Sequence, residues 1–122
     1  MPDLPPPRPT LYYDGACPVC AREVAMYRRQ PGAEGVCWVD ASRCAPEALG
    51  PGLSREAALA RLHLRQADGR LVSGAAAFTG LWQQLPGWAR WGRWLGRGPL
   101  LWALERGYRF FLRVRPLWRR GR

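Results

Sequence analysis

The sequence predicts an α/β chain: a mixed four-stranded sheet flanked by helices, with extra C-terminal amphipathic helices. Three observations carry that prediction. An apolar run, Leu11-Tyr12-Tyr13, ends in the turn pair Asp14-Gly15 and leads into a helix-forming segment. A second apolar run, residues 36–39, follows closely, and a strand, a helix and a strand this near one another form a right-handed parallel unit. Further on, residues 62–65 alternate apolar and polar, and Asp68-Gly69 is a hairpin signal that returns the chain through Leu71-Val72.

The elements follow in order. Residues 1–9 carry five prolines and read as an extended, mobile arm. Residues 10–13 form the first strand. A helix runs from Cys17 to Arg29, because Pro18 suits the first helical position, where its missing N–H costs nothing. Cys20, Val24 and Tyr27 share a face that can pack on a sheet, and Gln30-Pro31-Gly32 stops the helix. Residues 36–39 form a buried second strand. After a loop over residues 40–51, Ser54 is the N-cap of a short helix through about Arg61. The hairpin comes next, and Ser73-Gly74 opens a helix over residues 75–84, closed by Pro86-Gly87. Parallel pairing followed by an antiparallel hairpin, with helices on the faces, is the thioredoxin-like arrangement.

Residues 10–87 are the predicted core, and residues 88–122 a basic, Trp- and Arg-rich helical extension packed on it. In the extension Trp88, Trp91, Trp94 and Leu95 fall at helical spacing, and residues 96–99 break the run. Leu101, Leu104, Tyr108, Phe111 and Leu112 then mark a second amphipathic helix that ends at Pro116.

Charge divides along the same line. The net charge is +10, all 19 basic residues are Arg, and residues 88–122 hold ten of them against a single acid, Glu105. Arg on one face and Trp on the other suit an anionic membrane surface. Nucleic acid is disfavoured as a partner, since no recognised binding motif accompanies the charge. No apolar run approaches the ~18 residues that span a bilayer. Residues 1–10 lack the apolar segment of a secretory signal, so a reducing, cytoplasmic setting is expected, in which paired cysteines are catalytic or metal-binding more often than structural.

The chemistry-bearing residues are Cys17, Cys20, Cys37 and Cys44. Their spacing, Cys-x2-Cys-x16-Cys-x6-Cys, lacks the second x2 pair of a zinc ribbon, so no metal is expected. Cys37 reads as a core residue within its strand. Cys44 reads as incidental or as a redox accessory. At a helix start, backbone N–H groups and the helix dipole favour a Cys17 thiolate. Cys17 is expected at the exposed edge as the attacking nucleophile, and Cys20, one turn in, as the shielded resolving thiol. Arg22 would favour the thiolate, and Asp14 and Glu23 would oppose it. Asp14 either forms the turn or takes a proton from Cys20. The Ser73-Gly74 helix start offers N–H groups to an anion or a substrate backbone, and Tyr13 and Pro18 flank the cysteines, so Tyr13, Pro18, Ser73 and Gly74 are the candidate substrate contacts. His63, the only histidine, reads as a surface or packing residue.

Tyr13-Asp14-Gly15-x-Cys17-Pro18-x-Cys20, followed by Arg22-Glu23, resembles the signature of the DCC family of predicted thiol-disulfide oxidoreductases. Softer matches are Asp68-Gly69-Arg70, Gly74-Ala75-x-Ala77-Phe78, Leu81-Trp82, Leu85-Pro86, Tyr108 and Arg113. The resemblance implies a thioredoxin-like fold and dithiol chemistry without a cofactor, acting on a disulfide or thiol substrate. It marks Asp14, Cys17 and Cys20 as motif positions. The Trp-Cys-Gly-Pro-Cys pattern of thioredoxins is absent, and no proline precedes the Leu62 strand. The rival function is a non-catalytic membrane- or partner-binding module on the same scaffold.

Overall fold

The computed structural model describes residues 8–115, which form four strands and five α-helices. The strands are β1 (Thr10–Tyr13), β2 (Cys37–Asp40), β3 (His63–Arg65) and β4 (Leu71–Ser73). The helices are α1 (Pro18–Arg28), α2 (Arg55–Ala60), α3 (Ala75–Gln84), α4 (Ala89–Leu95) and α5 (Gly98–Val114). The sheet order is β2-β1-β3-β4. β1 runs parallel to β2 and antiparallel to β3, and β3 pairs antiparallel with β4. This is the mixed, thioredoxin-like α/β arrangement the turn signals indicate.

Alternation along β1 divides the core between the two faces of the sheet. Leu11 joins Val24, Tyr27, Leu64, Leu81 and Leu85 under α1 and α3. Tyr12 joins Ala41, Leu49, Leu53 and Ala58 under α2. Burying one such Leu contributes about 1.5–3 kcal/mol, so both faces of this short strand are anchored.

Most local signals hold. Pro18 opens α1, and the Ser54 hydroxyl accepts from Ala57 N–H at 3.0 Å as the cap of α2. Gly69 takes φ +94° in the hairpin turn, where a residue with a Cβ would be strained. Four readings need correction. The second strand lies one residue later than expected, and Cys37 is half-buried rather than a core residue, because β2 is the edge of the sheet. The arm does not stay free to residue 9. Pro9 is buried, its carbonyl accepts from Cys37 N–H at 2.9 Å, and Arg8 donates to the Glu34 carbonyl at 3.0 Å. The break between the last two helices is shorter than residues 96–99, because α5 already begins at Gly98 with Pro99 in its first turn. The remainder of the arm, residues 1–7, and the expected stop at Pro116 lie outside the described residues.

α4 lies against α3 through Gly92, where a Cβ would run into the Thr79 carbonyl and Gln83. The Trp88 ring meets Tyr27 edge-on at 5.5 Å between centroids, and Trp82 Nε1 donates to the Tyr27 hydroxyl at 3.0 Å. α5 reaches α3 through Tyr108, whose ring meets Phe78 at 5.6 Å. The outer sides of both helices keep Trp91, Trp94, Trp102 and Phe110 exposed. Among the described residues no helix is long and apolar enough to cross a membrane.

Candidate active site

β1 delivers the chain into a tight turn at the mouth of α1. Cys17 N–H donates to the Asp14 carbonyl at 3.1 Å, and the Asp14 carboxylate accepts from Ala16 N–H at 3.0 Å, so Asp14 shapes the turn. Gly15 N–H donates to Asp40 Oδ1 at 2.9 Å, and a Cβ on Gly15 would collide with that carboxylate, so this position needs glycine. Asp40 also accepts from Ser42 N–H and hydroxyl and pairs with Arg43 at 3.2 Å. Burial alone would raise Asp40; the bonds from Ser42 and Gly15 and the Arg43 charge outweigh it and hold it below its usual value.

Cys17 is the N-cap of α1, and Cys20 N–H points at its sulfur at 3.3 Å. A backbone donor at a helix start is where a thiolate charge is best met. The expected exposure is reversed, however. Cys17 is 0 % exposed, whereas Cys20 is half-buried. Capping accounts for this, because it turns the Cys17 sulfur back over the first turn of α1 instead of outward.

Cys20 lines a half-open cavity of about 390 Å³ bordered by α1, the sheet, α3 and α5. Its walls are largely apolar, with Leu11, Val24, Phe78, Leu81, Trp82 and Leu104 prominent. Burial pushes the Cys20 thiol up to about 12; its contact with the Cys17 sulfur acts in the same direction, and Arg115 beside it acts in the opposite one. Arg61 lines the same cavity. Its Nη2 is 2.6 Å from Glu105, while its Nε is buried with no acceptor among the described residues. Leu62 N–H donates to the Tyr108 hydroxyl, and burial pushes that phenol up to about 12.

The structure brings some predicted site residues together and separates others. Tyr13, Asp14 and Cys20 line the cavity, with Glu23 exposed at its rim and raised by partial burial. Pro18 and Arg22 do not line it; they border a neighbouring shallow groove along α1. Ser73 and Gly74 do not line it, and the N–H that the α3 start presents at Ala75 is taken by Glu105 Oε1 at 3.1 Å. Cys44 sits under α2, its carbonyl held by Arg55 Nη2 at 2.8 Å. His63 Nδ1 is bonded to the Arg61 carbonyl at 2.9 Å, and burial lowers the histidine. Among the described residues no three His, Cys, Asp or Glu side chains gather as a metal site.

Sequence reasoning missed Asp40, Arg61, Glu105 and Arg115. Asp40 had one available signal, an acid at the end of a strand parallel to β1. Tyr108 was placed on the apolar side of the last helix and matched by the family resemblance, but not read as a site residue.

No solved structure matches the chain. An uncharacterized chloroplastic protein of Arabidopsis thaliana is 35% identical over 82 residues, which is 64% of this chain. The matched segment spans only 38% of that relative. The family model for DCC1-like thiol-disulfide oxidoreductases matches residues 11–121, which takes in the Asp14 turn, both cysteines, the cavity and α5. With a dithiol at a helix start on a thioredoxin-like sheet, the chain belongs to the DCC1-like thiol-disulfide oxidoreductase family.

Proposed function

We propose that the protein is a dithiol–disulfide oxidoreductase in which Cys17 attacks and Cys20 resolves. The observation that carries this reading is the Cys20 N–H directed at the Cys17 sulfur. Cys17 thiolate bonds to one sulfur of a substrate disulfide, the substrate S–S bond breaks, and the second substrate sulfur leaves as thiolate. Cys20 then gives its proton to Asp14 and attacks the Cys17 sulfur. The Cys17–Cys20 bond closes and the first substrate sulfur is released, so two electrons pass from the pair to the substrate. No cofactor takes part.

Access and charge point to different sulfurs. Cys20 is the more accessible, but burial and the neighbouring Cys17 sulfur both raise its thiol and disfavour its ionisation. Reaching Cys17 takes a local opening around the start of α1, which costs less than global unfolding. The backbone N–H directed at the Cys17 sulfur supports Cys17 as the attacking thiol. A reducing compartment such as the cytoplasm is the setting we propose, since it keeps the pair available as a dithiol.

The test is a trapping experiment. Cys20→Ser accumulates a mixed disulfide on Cys17, seen by mass mapping. Accumulation on Cys20 in Cys17→Ser, with none on Cys17 in the reciprocal variant, would reverse the roles. Asp14→Asn shifts the pH profile of the resolving step, which a turn defect alone would not move.

A second reading is favoured by one surface. Trp91 and Trp94 are 47 % and 52 % exposed, and Arg90, Arg93 and Arg97 line the same shallow groove. We propose that this face binds an anionic membrane surface. Their rings pack against each other at 5.9 Å and 54°, instead of standing as parallel platforms for bases. Vesicles rich in phosphatidylserine should sediment the protein at low salt, and Trp91→Ala with Trp94→Ala should abolish it. Equal sedimentation of the double variant would remove the idea.

A further inference from the structure

The chemistry above leaves the cavity unused. Cys20, not Cys17, is the sulfur on its wall. Cys20 is half-buried within this concavity, which a small molecule enters more readily than the disulfide of a folded protein. About 390 Å³ is at the low end of ligand pockets and has room for a ring-sized body, not for a length of peptide. Its aromatic and aliphatic walls favour an apolar body. Two guanidiniums complete it: Arg61, whose buried Nε has no acceptor among the described residues, and Arg115 beside the Cys20 sulfur. Asp14 and Glu23 also line it, so the anion-accepting part is the side of Arg61 and Arg115.

We propose that this cavity docks a low-molecular-weight thiol with an apolar, ring-sized body and one anionic group, and that this thiol re-reduces the closed Cys17–Cys20 disulfide by attacking Cys20. The inference rests on the preceding reading that the two cysteines cycle. The thiolate bonds to the Cys20 sulfur, and the Cys17–Cys20 bond breaks. Cys17 leaves as thiolate, with its charge developing where the Cys20 N–H points. A second molecule of the thiol attacks the small-molecule sulfur of the mixed disulfide. Cys20 leaves and takes up a proton, and the symmetrical small disulfide departs. The two thiols lose two electrons and the protein pair gains them. Each half of the cycle then uses its own sulfur: Cys17 toward the substrate disulfide, Cys20 toward the reductant.

The test uses the oxidised full-length protein and three reductants: 4-mercaptophenylacetate, glutathione and dithiothreitol. Each rate is normalised to the same thiol acting on a free model disulfide. 4-Mercaptophenylacetate should saturate and exceed glutathione by about tenfold or more. Gly107 lines the cavity, and a Cβ there meets nothing within 4 Å, so Gly107→Leu adds bulk from an open position. That variant, and independently Ala103→Leu, should lose about tenfold with the aromatic thiol, a larger loss than with dithiothreitol. The first adduct should map to Cys20. Equal normalised rates for the aromatic thiol and glutathione, insensitivity to both variants, or a first adduct on Cys17 would each overturn the proposal. A pair that no thiol reduces, dithiothreitol included, overturns the cycling reading and this proposal with it.

Discussion

Two helix starts in this molecule use the same physics for opposite ends. α1 and α3 each follow a strand and each present unpaired backbone N–H groups. At α3 the chain fills that position with a permanent anion. Glu105 reaches back from α5 to accept from Ala75 N–H at 3.1 Å, and it is held by Arg61 at 2.6 Å and Arg109 at 2.9 Å. At α1 the position belongs to the Cys17 sulfur, which takes Cys20 N–H at 3.3 Å. A carboxylate there makes a clamp; a thiol there makes a group whose charge can come and go. The difference lies in the occupant and not in the helix.

The largest effect that could break this comparison is Cys17→Ser. Serine still caps α1, so stability should hold within about 1 kcal/mol, while disulfide exchange should fall about a thousandfold or more. Cys44→Ser is the control, and a comparable loss there would end the assignment. Next comes Glu105→Ala, which leaves Arg61 and the Ala75 N–H without their acceptor. It should cost about 2–3 kcal/mol in a denaturant melt, with Glu105→Gln milder because it keeps an acceptor. A change below about 0.5 kcal/mol would show that α3 does not depend on its clamp.

The comparison also extends to pH. Burial would raise Glu105, but bonds from Arg61, Ala75 and Arg109 outweigh it and lower it from 4.5. Asp40 is likewise lowered from 3.8. A lowered carboxylate stabilises above its unfolded value, so stability should fall as pH drops from about 4.5, and Glu105→Gln should flatten that fall. Two groups that line the cavity have the opposite sign. Cys20 is raised from 9.0 to about 12 and Tyr108 from 10.0 to about 12, so their contributions are complete below pH 9 and are lost as pH rises toward 12. Cys20→Ala should flatten the alkaline arm only. The smallest effect belongs to Gly15→Ala, where the new Cβ meets the Asp40 carboxylate. A destabilisation of about 1–3 kcal/mol is expected, relieved in part by Asp40→Ala.

How much of this the sequence discloses depends on range. The Asp14-Gly15 turn, Pro18 opening α1, the Ser54 cap and the Asp68-Gly69 hairpin are decided within a few residues, and each appears where its signal lies. α3 matches its expected bounds, residues 75–84, because Gly74 and Pro86 bracket it. The burial of Cys17, the half-exposure of Cys37 and the neighbours of Cys20 depend on contacts that no window contains. Arg115 and Cys20 lie at opposite ends of the described chain and meet only because α5 folds back over the sheet. Glu105 looked like a stray acid in a basic helix, and only the packing of α5 on α3 turns it into a cap. The Asp40–Gly15 bond required knowing that β2 ends level with β1, and the strand was expected one residue early.

The bond between Gly15 and Asp40 has a consequence beyond the turn itself. It ties the dithiol loop to the last residue of the edge strand, which has only one neighbouring strand to hold it. Movement of the loop is therefore transmitted to the margin of the sheet. Deuterium uptake at the amides of Gly15, Ala41 and Ser42 should report the redox state of the cysteines without any probe attached to a sulfur.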